Sequence, residues 1–176
     1  GFGSLINLNS AQKSFERTLE YDDLLPVSIK GYKKVWNSIV SIDFEDKSVN
    51  GVFLNLQKDE KAVTNGVVVK ITDEEFEALK IREKNYSKAI IKAEDVIGAS
   101  LDEDVVAFMT TNDEFLAKPG DENCYIPARY VDILTDAFKH YDEKFVQEFS
   151  KCLEDLPFEV KEGAYKFSDP TQNKYA

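Results

Sequence analysis

The region from Leu24 to Ile71 constrains this chain most, because it offers one strand signal after another. Leu24-Leu-Pro-Val-Ser-Ile leads to Gly31-Tyr-Lys-Lys-Val-Trp-Asn, which alternates apolar and polar positions imperfectly, and then to a further strand signal from Ile39 to Phe44. Two similar segments follow, Asn50-Gly-Val-Phe-Leu-Asn-Leu and Asn65-Gly-Val-Val-Val-Lys-Ile. Each reads as an Asn-Gly turn feeding a strand, since both residues tolerate the positive φ of a tight hairpin. The polar stretch from Gln57 to Thr64 reads as their connector. Two copies make sheet neighbours, not an array.

Helical signals flank this region. Ser10-Ala-Gln-Lys has capping character and opens a short, weakly periodic helix toward Leu19. Thr72-Asp-Glu-Glu is a capping box, with Thr72 as N-cap, Glu75 three residues on and acids at the positive helix end. Phe76, Leu79 and Glu83 then fall on one stripe. Ala89-Ile-Ile-Lys-Ala and Val105-Val-Ala-Phe-Met-Thr read as two more strands. After Pro127 a helical stripe runs through Tyr130, Ile133, Leu134, Ala137, Phe138 and Tyr141, resumed by Phe145, Val146, Phe149 and Leu153. That is one long amphipathic helix or two abutting ones. A polar tail over 157–176, with aromatics at Phe158, Tyr165 and Phe167, either covers a surface or stays loose. No Gly- or Ser-rich linker interrupts the chain, so residues 1–176 read as a single domain of α+β type.

Composition removes several classes of function. A chain of 176 residues with 43% hydrophobic and 12% aromatic content can bury one real core. With 22 basic against 33 acidic side chains the net charge is -11, which argues against nucleic acid or an anionic membrane as partner. The densest basic group, Lys30, Lys33 and Lys34, is small and local. Cys124 and Cys152 have no metal-type spacing; they read as reduced thiols of a cytoplasmic protein, with a single disulfide between them as the alternative. A single histidine, His140, argues against a histidine-rich metal site. No apolar run reaches membrane-span length, and no signal peptide is visible.

Two short stretches carry chemical interest. Gly1-Phe2-Gly3-Ser4-Leu5 reads either as a tight turn before the first helix or as a nest of amides that accepts an anion. Because the chain opens inside this motif, a few residues, such as a strand, are expected before Gly1. Glu83 sits on an inward stripe near a helix C-terminus, where desolvation and the helix dipole both raise a carboxyl pKa toward that of a general base. The same spacing is compatible with a solvated glutamate beside Lys80, Lys84 or Arg82.

Taken together, Phe2-Gly3-Ser4-Leu5, the Gly31-Tyr-x-x-x-Trp-Asn strand, the Asn-Gly-Val pair and Arg82-Glu83-x-x-Tyr86 resemble the γ-glutamylcyclotransferase family, including its relatives that act on glutathione. The likeness runs from Gly1 to about Tyr141, and Pro127-Ala-Arg-Tyr130 resembles a later element of that family. The resemblance implies a compact mixed β-barrel with flanking helices. It implies intramolecular cyclisation of a γ-glutamyl peptide or amine to 5-oxoproline, with release of the amine or amino acid. Glu83 would be the general base and acid, and Phe2, Gly3, Ser4, Leu5, Tyr86 and Tyr130 would bind substrate. The substrate supplies the nucleophile, so the resemblance implies neither metal nor cofactor. Phe2 stands where the family carries tyrosine: a contact is lost if that hydroxyl touches substrate, and nothing changes if the ring only packs.

Competing chemistry finds little support. Ser4 as a nucleophile would need a histidine, and a Cys124/His140 pair reads more simply as a buried thiol and a half-exposed imidazole. Asp73-Glu74-Glu75 has a sufficient role as the first turn of a capped helix. Asn37, after Trp36, fits a pocket wall or a turn equally well. Three readings follow: the cyclotransferase, a non-catalytic small-ligand-binding member of the same fold, and an acidic protein-interaction domain.

Overall fold

The computed structural model describes residues 1–45 and 47–173. One hairpin dominates it. Strand β1 (Leu25–Phe44) and strand β2 (Lys47–Val68) pair antiparallel from Leu25↔Val68 to Phe44↔Lys47. Asn50-Gly51 and Asn65-Gly66 therefore lie inside β2 and turn nothing, and the expected connector 57–64 is strand. Glycine is present in β2 because other groups press on the backbone, the alternative meaning of a strand glycine. A Cβ on Gly51 would stand 2.8 Å from the side chains of Ile42 and Phe53, and one on Gly66 would stand 2.4 Å from the Gly1 carbonyl oxygen.

Two register shifts, at Lys30/Tyr32 and Trp36/Ser38, break the regular alternation of β1. Gly31 occupies the first with φ 82°, a backbone conformation open chiefly to glycine. The buried positions accordingly run Val27 and Ile29 before the shift and Tyr32 and Trp36 after it. Bulges of this kind bend and twist a strand, so one ribbon serves two apolar clusters. The larger cluster includes Trp36, Ile42, Phe44, Val52, Phe53 and Leu54; the smaller holds Val27, Ile29, Tyr32 and Leu56.

The rest of the chain builds on this ribbon. Helix α1 (Leu8–Gln12) is shorter than expected and is capped by Asn7, whose Oδ1 accepts the Ser10 amide at 3.2 Å; Ser10 is buried inside it. The helix does not reach Leu19. The Gln12 side chain instead organises the following loop, donating to the Phe15 and Arg17 carbonyls and accepting from the Leu19 amide at 2.7 Å. Helix α2 (Asp73–Arg82) forms behind the capping box, with Thr72 Oγ1 and the Glu75 carboxylate each accepting the other residue's backbone N–H. Strand β3 (Ser87–Ile91) follows, and Val96–Ile97 (β4) pairs with β1 at Ser28 and Ile29. Strand β5 (Val105–Met109) pairs antiparallel with β3 in a separate sheet whose Ala89, Ile91, Ala107 and Met109 close the smaller cluster.

Strand β6 (Cys124–Pro127) runs parallel to β2. The late stripe is two helices, α3 (Ala128–Ala137) and α4 (Glu143–Glu154), separated by one 3-10 turn at Phe138–His140. Asp142 caps α4, its Oδ1 accepting the Phe145 amide at 2.7 Å. Leu134 and Phe149 are fully buried, and truncating Phe149 to Ala would cost about 3–5 kcal/mol. The tail is not loose. Strand β7 (Glu159–Lys161) extends the main sheet parallel to β6, β8 (Tyr165–Phe167) pairs with β1, and α5 (Pro170–Asn173) follows; residues 174–176 of the tail lie outside the described residues.

The fold is thus α+β: a mixed main sheet in the order β4-β1-β2-β6-β7, with β8 on the free edge of β1, and helices flanking it. Among the described residues the path of strands is open, so the closed barrel expected above is corrected to an open mixed sheet. β7 and the β4/β8 edge do not pair with each other. No helix among the described residues is long and apolar enough to cross a membrane.

Candidate active site

A cavity of about 1370 Å³ opens where the N-terminal segment, the end of α2, the start of α3 and β8 converge. Phe2, Gly3, Ser4, Leu5, Glu83, Tyr86 and Tyr130 all border it. Segments far apart in sequence are brought to one hollow by backbone pairing. Gly1 donates to the Val67 carbonyl at 2.7 Å and accepts from the Val67 amide at 2.8 Å, the paired exchange of an antiparallel ladder. The chain then makes a 3-10 turn at Ser4–Ile6, closed by the Ile6 amide on the Gly3 carbonyl at 3.0 Å.

Tyr130 fixes this turn from beneath. Its ring is clamped edge-on by Phe53 at 4.9 Å and Trp36 at 5.8 Å. A Cβ on Gly3 would come within 2.6 Å of the Tyr130 hydroxyl, so glycine is required there by contact. Burial drives the Tyr130 phenol well above its ordinary range, slightly offset by the Ser4 amide directed at its oxygen. Gly3, Ser4, Leu5 and Tyr130 all border the cavity at this turn. Phe2 packs against the smaller apolar cluster while bordering the cavity.

Glu83 is the C-cap of α2, its amide donating to the Leu79 carbonyl at 2.8 Å. Its side chain is 15% exposed and pairs with Arg82 Nε at 3.2 Å. Burial raises the carboxyl above its ordinary value, opposed by the Arg82 guanidinium. The reading of Glu83 as a solvated surface glutamate does not hold. Arg82 is itself held by the Ser14 hydroxyl. The Tyr86 amide donates to the Glu83 carbonyl at 2.9 Å, a tight turn that carries both side chains to the cavity. Burial and then the Glu83 charge push the Tyr86 phenol up to about 12, against hydrogen bonding to Ser38 and the pull of Arg82. Tyr86 is a neutral donor at physiological pH.

The spacing of residues did not reveal what lies beneath Tyr86. Ser38 Oγ is 2.6 Å from Thr110 Oγ1, the Thr110 amide donates to Asn55 Oδ1 at 2.8 Å, and Asn55 Nδ2 donates to the Thr110 carbonyl and to Asn37 Oδ1, both at 2.9 Å. Asn37 thus braces the second register shift and does not border the cavity. Tyr165 and Phe167 of β8 form a wall that the polar tail gave little reason to expect; the alternation Tyr-Lys-Phe was its one signal. Cys124 and His140 do not border the cavity, and the His140 ring stacks on Tyr21 at 3.7 Å.

This sheet order and the cavity at its edge define a protein of the γ-glutamylcyclotransferase-like fold. Among solved structures the chain is similar to a γ-glutamyl cyclotransferase, with a TM-score of 0.60 and 13% identity over 99% of this chain and 95% of that one. The human protein loc79017 gives a TM-score of 0.59 at 13% identity, with the same coverage of 99% and 95%. YkqA of Bacillus subtilis gives 0.58 at 19% identity over 90% of this chain, which spans only 54% of YkqA. No protein-family model and no curated protein matches the sequence.

Proposed function

We propose that the chain is a cofactor-independent γ-glutamylcyclotransferase. It would convert a γ-glutamyl peptide or amine, glutathione among the candidates, to 5-oxoproline and release the amine or amino acid. One observation carries the reading: a buried carboxyl with a raised pKa, Glu83, borders the same cavity as the glycine turn 1–5. The fold shared with a solved γ-glutamyl cyclotransferase supports it.

In this reading Glu83 takes a proton from the substrate's α-ammonium, and the resulting amine attacks the γ-carbonyl carbon. A tetrahedral oxyanion forms; as it collapses, the bond to the leaving nitrogen breaks, Glu83 returns its proton to that nitrogen, and the second proton of the attacking nitrogen passes to the released amine, leaving the neutral lactam and an ammonium product. The carboxylate ends as it began, and no water is consumed. The neutral Tyr86 hydroxyl and the Gly3–Leu5 turn border the cavity and would supply donors to substrate oxygens. Such a base contributes on the order of 10²–10⁴ in rate. Preorganised donors add on the order of 10²–10³. Holding the γ-glutamyl chain folded for ring closure supplies further acceleration, with about 7–11 kcal/mol the limit for ideal geometry.

The test is a panel of glutathione, γ-glutamyl dipeptides and γ-glutamylamines assayed for 5-oxoproline. Release from at least one, abolished in Glu83→Gln, is expected. Phe2, which brings no hydroxyl to the cavity wall, favours a second reading as a non-catalytic binder. Ligand-induced thermal stabilisation with no 5-oxoproline from any substrate would select it.

A further inference from the structure

The two residues that flank Glu83 are both tied to the C-terminal segment. Gln172 Nε2 donates to the carbonyl of Arg82 at 2.9 Å, the peptide immediately before Glu83. Lys84 Nζ, immediately after it, pairs with Asp169 at 2.9 Å and donates to Thr171 Oγ1 at 3.1 Å. The segment is itself anchored. Asn173 exchanges hydrogen bonds with the Phe167 amide and carbonyl, both at 2.7 Å, and the Ser168 amide donates to the Ser41 carbonyl at 3.0 Å. Tyr165, Phe167, Gln172 and Asn173 border the cavity.

We infer that residues 165–173 are a strap that orients the Glu83 carboxylate, with Gln172 as its positioning residue. The strap runs from the rigid hairpin, through β8 on β1, to the carbonyl of Arg82. A carboxylate at a helix C-cap has no helical hydrogen bonds beyond it to fix its direction. The turn Glu83–Tyr86 and the Arg82 ion pair fix it from one side, and Gln172 and the Lys84 contacts supply the other. The Lys84–Asp169 pair is partly exposed and adds little stability by itself. Its value is geometric, because it is applied one residue from the functional group. The strap also walls the cavity beside Glu83, which keeps water from the carboxyl and sustains its raised pKa. The role of Glu83 as base rests on the proposed function; the mechanical coupling does not.

The experiment compares Gln172→Met, which keeps the side-chain bulk and loses the donor, with Lys84→Met and the conservative Lys84→Arg. The readouts are 5-oxoproline kinetics and a 13C titration of the Glu83 carboxyl. Misplacement of about 1 Å is worth up to about 100-fold in rate. Gln172→Met is therefore expected to lower kcat about 10- to 100-fold with KM within about twofold. Its Glu83 titration and the acid limb of kcat should both move to lower pH, as water reaches the carboxyl. Lys84→Met also removes a cation, which by itself raises a carboxyl pKa, so a move to lower pH in that variant reports the lost anchor; Lys84→Arg, which keeps the charge, should titrate as wild type. An unmoved titration in Gln172→Met overturns the inference, even if melting temperature falls, because the tail would then be packing alone. Should the wild type form no 5-oxoproline, the titration still decides the coupling while the function proposal fails separately.

Discussion

Replacing Glu83 by Gln removes the ionisable group and keeps its size and its ability to accept from Arg82. If Glu83 is the base, the loss is the whole of general acid-base catalysis, about 10²–10⁴ in kcat, or roughly 3–5 kcal/mol of barrier. Stability should respond in the opposite sense. Burial holds the native carboxyl above its ordinary value, against the pull of the Arg82 guanidinium. A group raised in the folded state contributes stability below its unfolded pKa and loses it as pH rises through the folded pKa. Wild type and variant should therefore melt together in acid. At neutral pH the variant should melt at, or slightly above, the wild-type temperature, each kcal/mol being worth about 2–4 °C in a chain this size. The assay is 5-oxoproline release beside melting curves across pH. Unchanged turnover refutes the catalytic assignment. A variant that melts lower at neutral pH, with the gap closing in acid, refutes the claim that burial disfavours the charge.

Gly3→Ala forces a Cβ to within 2.6 Å of the Tyr130 hydroxyl and should cost about 1–3 kcal/mol, read as a lowered melting temperature; adding Tyr130→Phe should recover most of it. Gly66→Ala would place a methyl 2.4 Å from the Gly1 carbonyl oxygen, where no side chain can yield, so it should part Gly1 from Val67 and abolish 5-oxoproline release. Phe2→Tyr should leave melting unchanged and lower KM about fivefold, the value of one hydrogen bond of about 1 kcal/mol; an unaltered KM would mean that the ring only packs. With Glu83 raised by burial, the acid limb of kcat/KM should lie above 4.5, and a limb at or below that value would count against it as the base.

The α+β class and the capping box at Thr72 were legible in the sequence from local chemistry; the late stripe left one helix or two open, and Gly3, Glu83, Tyr86 and Tyr130 were named together only through the family resemblance. The long hairpin was not legible. Asn-Gly is the strongest short-range turn signal, yet in β2 both pairs answer to contacts made by residues distant in sequence, Ile42 for Gly51 and Gly1 for Gly66. The polar run 57–64 hides a strand for a related reason: its exposed positions face solvent on an arm beyond the larger core. Ser38, Asn55 and Thr110 were invisible because small polar residues carry no period, and only tertiary placement joins them beneath Tyr86. Ser10 was misread as a cap because Asn7, three residues earlier, takes that role.

The ladder step between Gly1 and Val67 sits at the open mouth of the hairpin, farthest from the bend at Glu45. Strand pairs fray from such mouths inward, so breathing there releases the glycine turn while the aromatic interior around Phe53 and Phe149 stays closed. Exchange of the Val67 amide with deuterium should then outpace that of Val52, deep in the ribbon. Loss of the hollow beside the glycine turn would precede global melting, and any 5-oxoproline release would fade at a temperature below the one at which the fold collapses.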